Sequence, residues 1–159
     1  MTPDRPSVAR HADRFEPLAP ERLEPWANFG SWPGRTFFPS FIGIELEEIR
    51  ADYCRLRLAY RPELNQPAGA VHGGALATLV DTVVVPAVGA VYETRPVMLT
   101  ISMNLHYLAA VHEQDAVAEG WVEKRGRSTV FCRAEVRGAT DGELAVTGSL
   151  VYAVRFPGA

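Results

Sequence analysis

After residue 41 apolar and polar positions alternate with a period of two along most of the chain, the pattern of half-buried β-strands. Cys54, Leu56, Leu58 and Tyr60 alternate with Arg55, Arg57 and Ala59. Leu99, Ile101, Met103, Leu105 and Tyr107 alternate with Thr100, Ser102, Asn104 and His106, which predicts a strand with one apolar face. Ile44, Leu46 and then Ile49 mark a less regular first strand. Three more strands are predicted over 116–124, 129–137 and 143–155. They are separated by Arg125-Gly126-Arg127-Ser128 and by the stretch from Gly138 to Gly142. Both breaks have hairpin composition, and sequential hairpins pair antiparallel.

Residues 73–91 depart from this pattern. They are apolar almost without pause, with Asp81 as the one carboxylate. Val83, Val84 and Val85 favour a strand by propensity, but strands usually run about 5–6 residues. A helix of about 17 residues would span ~26 Å, and Ala75, Leu76, Ala77 and Leu79 favour helix. A helix apolar all round is buried on most sides. Pro86 is expected to kink it or end it early. Ala116, Ala118, Gly120, Ala134 and Gly148 are small residues on the strands, and they let a helix approach a sheet closely. The expected class is α+β, a long antiparallel sheet around one buried helix, over residues 41–159. Residues 1–40 are rich in proline, charge and aromatic rings. They read as an N-terminal arm with a short helix around 21–29 that packs on its own domain or on a partner subunit.

Composition narrows the function classes. The 159 residues suffice for one domain with a real core. A formal net charge of -3 shows no basic excess of the kind a general nucleic-acid binder carries. Cys54 and Cys132 lack CxxC spacing and fall within apolar alternations, so buried thiols are expected rather than a zinc site or a disulfide framework. His11, His106 and His112 have no metal-ligand spacing. The first residues form no apolar signal segment, and no apolar run approaches the roughly 18 residues that span a membrane. A cytoplasmic protein without membrane partners is expected.

The chemistry concentrates between Asn65 and Asp81. The run Asn65-Gln66-Pro67-Ala68-Gly69-Ala70-Val71-His72-Gly73-Gly74 is a polar, glycine-bearing loop ending at a helix N-terminus. The first N–H groups of a helix have no internal partner, and with the positive end of the helix dipole they suit a developing negative charge. Gly73 and Gly74 put no Cβ in the way of a substrate. Asp81 lies two helical turns further along. Burying an unpaired carboxylate costs several kcal/mol, so it is hydrogen-bonded, faces a wet pocket, or serves function. A partly desolvated carboxylate is a stronger base or nucleophile than one in bulk water.

With those residues in view, Asn65…Gly69…His72-Gly73-Gly74…Asp81 resembles the signature of hotdog-fold acyl-CoA thioesterases, in the group typified by the phenylacetic-acid-pathway thioesterases. The segment from Thr100 through Tyr107 to Leu108 resembles the strand that follows the helix in that group. The resemblance extends over most of residues 40–155. It implies the hotdog fold and hydrolysis of acyl-CoA thioesters, with no metal or separate cofactor, coenzyme A being part of the substrate. Asp81 would be the general base or the nucleophile. The Gly73 N–H would polarise the thioester carbonyl, beside Gly74. Thr100 would help hold the attacking water, and His72 would fix the loop more than act in catalysis. The family's site amide, six residues before the motif histidine, falls on Gln66; a one-residue insertion would place it on Asn65. The resemblance further implies homodimers joined sheet edge to sheet edge, or tetramers of them, with the site between protomers. A basic rim for the coenzyme A phosphates would come from Lys124, Arg125 and Arg127. The competing function from another class is a non-catalytic acyl-CoA sensor, which tends to lose the acid that Asp81 supplies here.

Overall fold

The computed structural model describes residues 11–29, 31–32 and 34–156. In the arm, a 3₁₀ turn at Ala12–Arg14 is followed by α1 (Pro20–Leu23), which tightens into a 3₁₀ turn at Glu24–Trp26. The helix expected around 21–29 is thus shorter, because Pro25 supplies no amide donor. A two-residue ribbon, β1 (Ser31–Trp32) with β2 (Arg35–Thr36), and α2 (Phe38–Phe41) complete the arm.

The six expected strands form one antiparallel sheet: β3 (Ile44–Arg50), β4 (Tyr53–Leu58), β5 (Val97–Tyr107), β6 (Ala116–Arg125), β7 (Thr129–Gly138) and β8 (Leu144–Arg155). Their spatial order is β3-β4-β6-β7-β8-β5, so β3 and β5 are the edges. The irregularity of the first strand has a cause: a bulge between Leu46 and Glu48 restores Ile49 to the buried face that Ile44 occupies.

The apolar segment is one helix, α3 (Gly73–Gly89), laid across the sheet with Leu79, Val80, Val83, Val84, Ala87 and Val88 fully buried. The small strand residues serve this approach. A Cβ built on Gly120 would lie 2.6 Å from Val83 Cγ1, and one on Gly148 2.9 Å from Val80 Cγ1. Of the two outcomes expected of Pro86, a kink or an early end, the early end does not occur. The chain stays helical to Gly89, since the burial of Val83, Val84, Ala87 and Val88 outweighs one missing hydrogen bond. Arg125 secures the end: its guanidinium donates to the Ala87 and Val88 carbonyls at 3.3 and 2.9 Å, to Asp52 at 2.7 Å and to the Tyr92 hydroxyl at 2.9 Å. A cation on the last carbonyls suits the negative end of the helix dipole.

The arm covers both sides of the domain. Trp26 is buried against Gly89 at the helix C-terminus, where a Cβ would meet its ring at 2.6 Å. On the opposite sheet face, the His11 ring packs tilted against Trp121, its backbone N–H donates to Glu119 and its Nε2 meets Glu135. Cys54 and Cys132 are free and buried, and burial pushes the Cys132 thiol up to about 12 and the Cys54 thiol well above its usual range. Among the described residues no helix is long and apolar enough to cross a membrane. No group of three or more His, Cys, Asp or Glu side chains among them converges as a metal site would need.

Candidate active site

The loop before α3 is closed by its own backbone. Gln66 N donates to Ala70 O, Gly69 N to Gln66 O, and His72 N to Leu64 O, with Gly69 at φ 87, a conformation that favours glycine. His72 is the helix N-cap: its Nδ1 accepts the Gly74 N–H at 2.8 Å, so the ring is anchored to the turn it begins. The next amides, of Ala75 and Leu76, donate to His72 O. The Gly73 N–H has no acceptor among the described residues. Tyr107 of β5 lies over this glycine. Its hydroxyl donates to Gly73 O at 2.9 Å, and its ring sits 3.3 Å from where a Cβ would be.

Gln66 lines the same cleft as Gly73 and Tyr107, about 360 Å³ in volume. Asn65 is turned elsewhere. Its Nδ2 donates to Tyr60 Oη at 3.0 Å, and it lines a smaller hollow beside His72 and Gly74. Gln66 and Asn65 thus both border the start of the helix, on two different clefts.

Two turns on, Asp81 is half-buried on the wall of a second cleft, about 430 Å³. Its Oδ1 accepts from the Thr100 hydroxyl at 2.9 Å and from the Tyr152 hydroxyl at 2.5 Å, while the Tyr152 hydroxyl also lies 2.8 Å from Asp81 O. Oδ2 takes no donor among the described residues. A carboxylate gripped on one oxygen and open on the other is fixed in direction, with a lone pair left for a water or a carbonyl carbon. Burial first, and the hydrogen bond to Asp81 second, push the Tyr152 hydroxyl far above the usual phenol range, so it remains a donor.

Thr100 reaches Asp81 because of a second bulge. The alternation of β5 predicts Leu99, Ile101, Met103, Leu105 and Tyr107 on one face. A register shift between Thr100 and Ser102 instead sets Thr100 opposite Tyr152, and Met103 opposite Leu150, both on the helix-facing side. Leu99 and Ile101 are left exposed at 55% and 59%. Tyr152 was not singled out in the sequence. The signal available was a phenol alternating with Leu150 and Val154 on a buried strand face, where a hydroxyl needs a partner.

The basic hairpin divides. Lys124 and Arg127 are exposed, with no ion pair among the described residues, whereas the Arg125 guanidinium is taken up at the end of α3. That hairpin and Gly73 lie at opposite ends of the helix.

Residues 68–145 match the family model of the thioesterase superfamily. A candidate esterase of Halobacterium salinarum is 36% identical over 97 residues, 57% of this chain and 62% of that protein. A solved protein from the thioesterase superfamily is 29% identical, with a TM-score of 0.73 over 84% of this chain and 98% of its own. The E. coli PaaI protein from the phenylacetic acid degradation operon shares the fold at a TM-score of 0.69 and 13% identity, over 74% of this chain and 83% of its own. The chain thus has the hotdog fold of the thioesterases, and its residues 68–145 are similar to the thioesterase superfamily.

Proposed function

We propose that the protein hydrolyses acyl-CoA thioesters to the free acid and coenzyme A, with Asp81 as general base or nucleophile and the Gly73 N–H polarising the thioester carbonyl. The observation that carries this reading is the Asp81 carboxylate on the wall of a cleft, held on Oδ1 by Thr100 and Tyr152 and with no donor on Oδ2 among the described residues. Thioester hydrolysis needs a base or nucleophile on one side of the carbonyl carbon and donors on its oxygen. Both kinds of group are present, but eight residues apart on one helix, ~12 Å. One carbonyl does not bridge that span within a chain. A second copy does, when its helix runs antiparallel beside the first and sets its Gly73 and Gln66 against Asp81. Edge strand β5 supports such pairing, being unpaired on its outer side among the described residues and carrying exposed Val97, Leu99, Ile101 and Tyr107. Lys124 and Arg127 remain open to coenzyme A phosphates, whereas Arg125 is committed to the fold.

Asp81→Asn is the direct test. It removes the base while keeping an acceptor for Thr100, so thiol release should fall by ~10³ or more with folding and acyl-CoA affinity nearly intact. Undiminished turnover in Asp81→Asn refutes the assignment. Binding without turnover in the unaltered protein would make it an acyl-CoA sensor instead.

A further inference from the structure

We propose that the cleft between the N-terminal arm and α3 is the acyl pocket, and that it takes a neutral, apolar acyl group of medium length in preference to a short or charged one. This inference rests on the acyl-CoA reading above and deepens it. The cleft has a volume of about 430 Å³, the size of a small-molecule site. Phe29, Phe38 and Pro39 of the arm form one wall, Ala77 and Val85 of the helix the floor, and Met103 of β5 the other wall. The Thr78 hydroxyl that also borders it is spent on Gly74 O at 2.9 Å. The reactive polar function is Asp81, set where an acyl carbonyl would sit if its chain ran into the cleft.

Two features define the occupant. Phe38 and Met103 are 60% and 39% exposed, so large apolar surfaces stand open beside a carboxylate, the mark of a ligand surface. Among the described residues no basic side chain lines the cleft. A terminal carboxylate on the acyl group would therefore lose water without gaining a counter-charge, with Asp81 nearby. The family match begins at residue 68, so the aromatic wall lies outside it and belongs to this chain's own arm. The arm thereby acquires a task that packing alone does not explain: Trp26 anchors it on Gly89, and Phe29 and Phe38 border the cleft.

The test uses thioether analogues that cannot be hydrolysed, S-ethyl- and S-octyl-coenzyme A, titrated calorimetrically into the full chain. Each methylene buried in full is worth about fourfold in affinity, so six additional ones in a partly open cleft should give a preference on the order of 100-fold for the octyl analogue. Phe38→Ala, at an exposed position where folding is not at stake, should cut that preference about tenfold. A terminal carboxylate on the octyl chain should do the same without any substitution. Equal affinity for the two analogues, or a preference untouched by Phe38→Ala, overturns the assignment and leaves Phe38 to be covered by a second copy of the chain. Hydrolysis of octanoyl-coenzyme A is scored separately. Tight octyl binding without hydrolysis would refute the enzymatic reading and leave the pocket standing.

Discussion

Deleting one amide hydrogen tests both the oxyanion role of Gly73 and the sharing of the site between two copies. Gly73 is the first helical residue, the position where proline is tolerated because its missing N–H was never bonded within the helix. His72 has φ -59 and ψ 133, the extended conformation a residue before proline requires. The added ring carbons press on Tyr107, 3.3 Å from the Cβ position, but that side chain is 52% exposed and can shift. Gly73→Pro should therefore cost less than about 1 kcal/mol of stability. It should lower kcat by about 10²–10³, the usual loss for one oxyanion donor. The variant is then mixed with Asp81→Asn by coexpression under two affinity tags. Gly73 and Asp81 of one chain are ~12 Å apart, while the reacting groups must lie within about 3.5 Å of one carbonyl. In a mixed dimer, one site combines the intact Gly73 of one chain with the intact Asp81 of the other. The second site has both defects. Random pairing makes about half of the dimers mixed, each with one working site of two, so the mixture should regain roughly a quarter of full activity. In the doubly purified species every dimer is mixed, so a thiol-release assay on it should read roughly half of full activity. A silent mixture of two well-folded variants would show that no site is built across the pair, and unchanged kcat in Gly73→Pro would remove the amide from the mechanism.

Tyr152→Phe should lower kcat about tenfold with KM little changed. A fall in kcat no larger than the loss of folded protein would make Tyr152 merely structural. Arg125→Ala strips the last α3 carbonyls and Asp52 of their partner, and calorimetry should show a loss of about 2 kcal/mol. Turnover per folded molecule should remain near that of the unaltered chain, and a large loss would return Arg125 to the substrate. Burial works against a charged Glu135, but hydrogen bonds from His11 and Arg137 outweigh it and hold the carboxyl below the usual carboxylate range. A lowered folded-state pKa gives stability that is full above about pH 5 and is lost as pH falls through the folded value. Glu135→Gln should therefore flatten the fall of Tm between about pH 5 and pH 3, and parallel curves would contradict the assignment.

The architecture was legible because strand alternation and one long apolar run are strong, local signals. What escaped was produced by departures from period. The bulge between Leu46 and Glu48 blurred the first strand, and the one after Thr100 turned a polar residue inward and two apolar ones outward. A strict two-residue alternation places Thr100 on the wrong face. Its proposed role came from the motif resemblance and not from the pattern. The early end allowed for Pro86 did not occur for a different reason: propensity is local, whereas the packing of α3 is not. Asn65 and Gln66 could not be separated by spacing, and in the fold both border the start of α3, Asn65 with its Nδ2 on Tyr60 and Gln66 on the cleft it shares with Gly73 and Tyr107. Arg125 looked like its neighbours because nothing in a hairpin composition announces a long-range contact with a helix end.

These departures converge on one element. Strand β5 sends the Thr100 hydroxyl to Asp81 and the Tyr107 hydroxyl to Gly73 O, so both halves of the proposed chemistry are tied to the same edge strand. The bulge that aims Thr100 inward is also what leaves Leu99 and Ile101 exposed on a strand open to pairing. In the proposed dimer, assembly and site geometry are therefore linked through β5. A substitution that prevents β5 from pairing, such as a proline at Leu99 on the outer face, would loosen the grip on Asp81 as well as separate the copies. The proposed enzyme would lose activity in step with its dimers, even with every functional side chain in place.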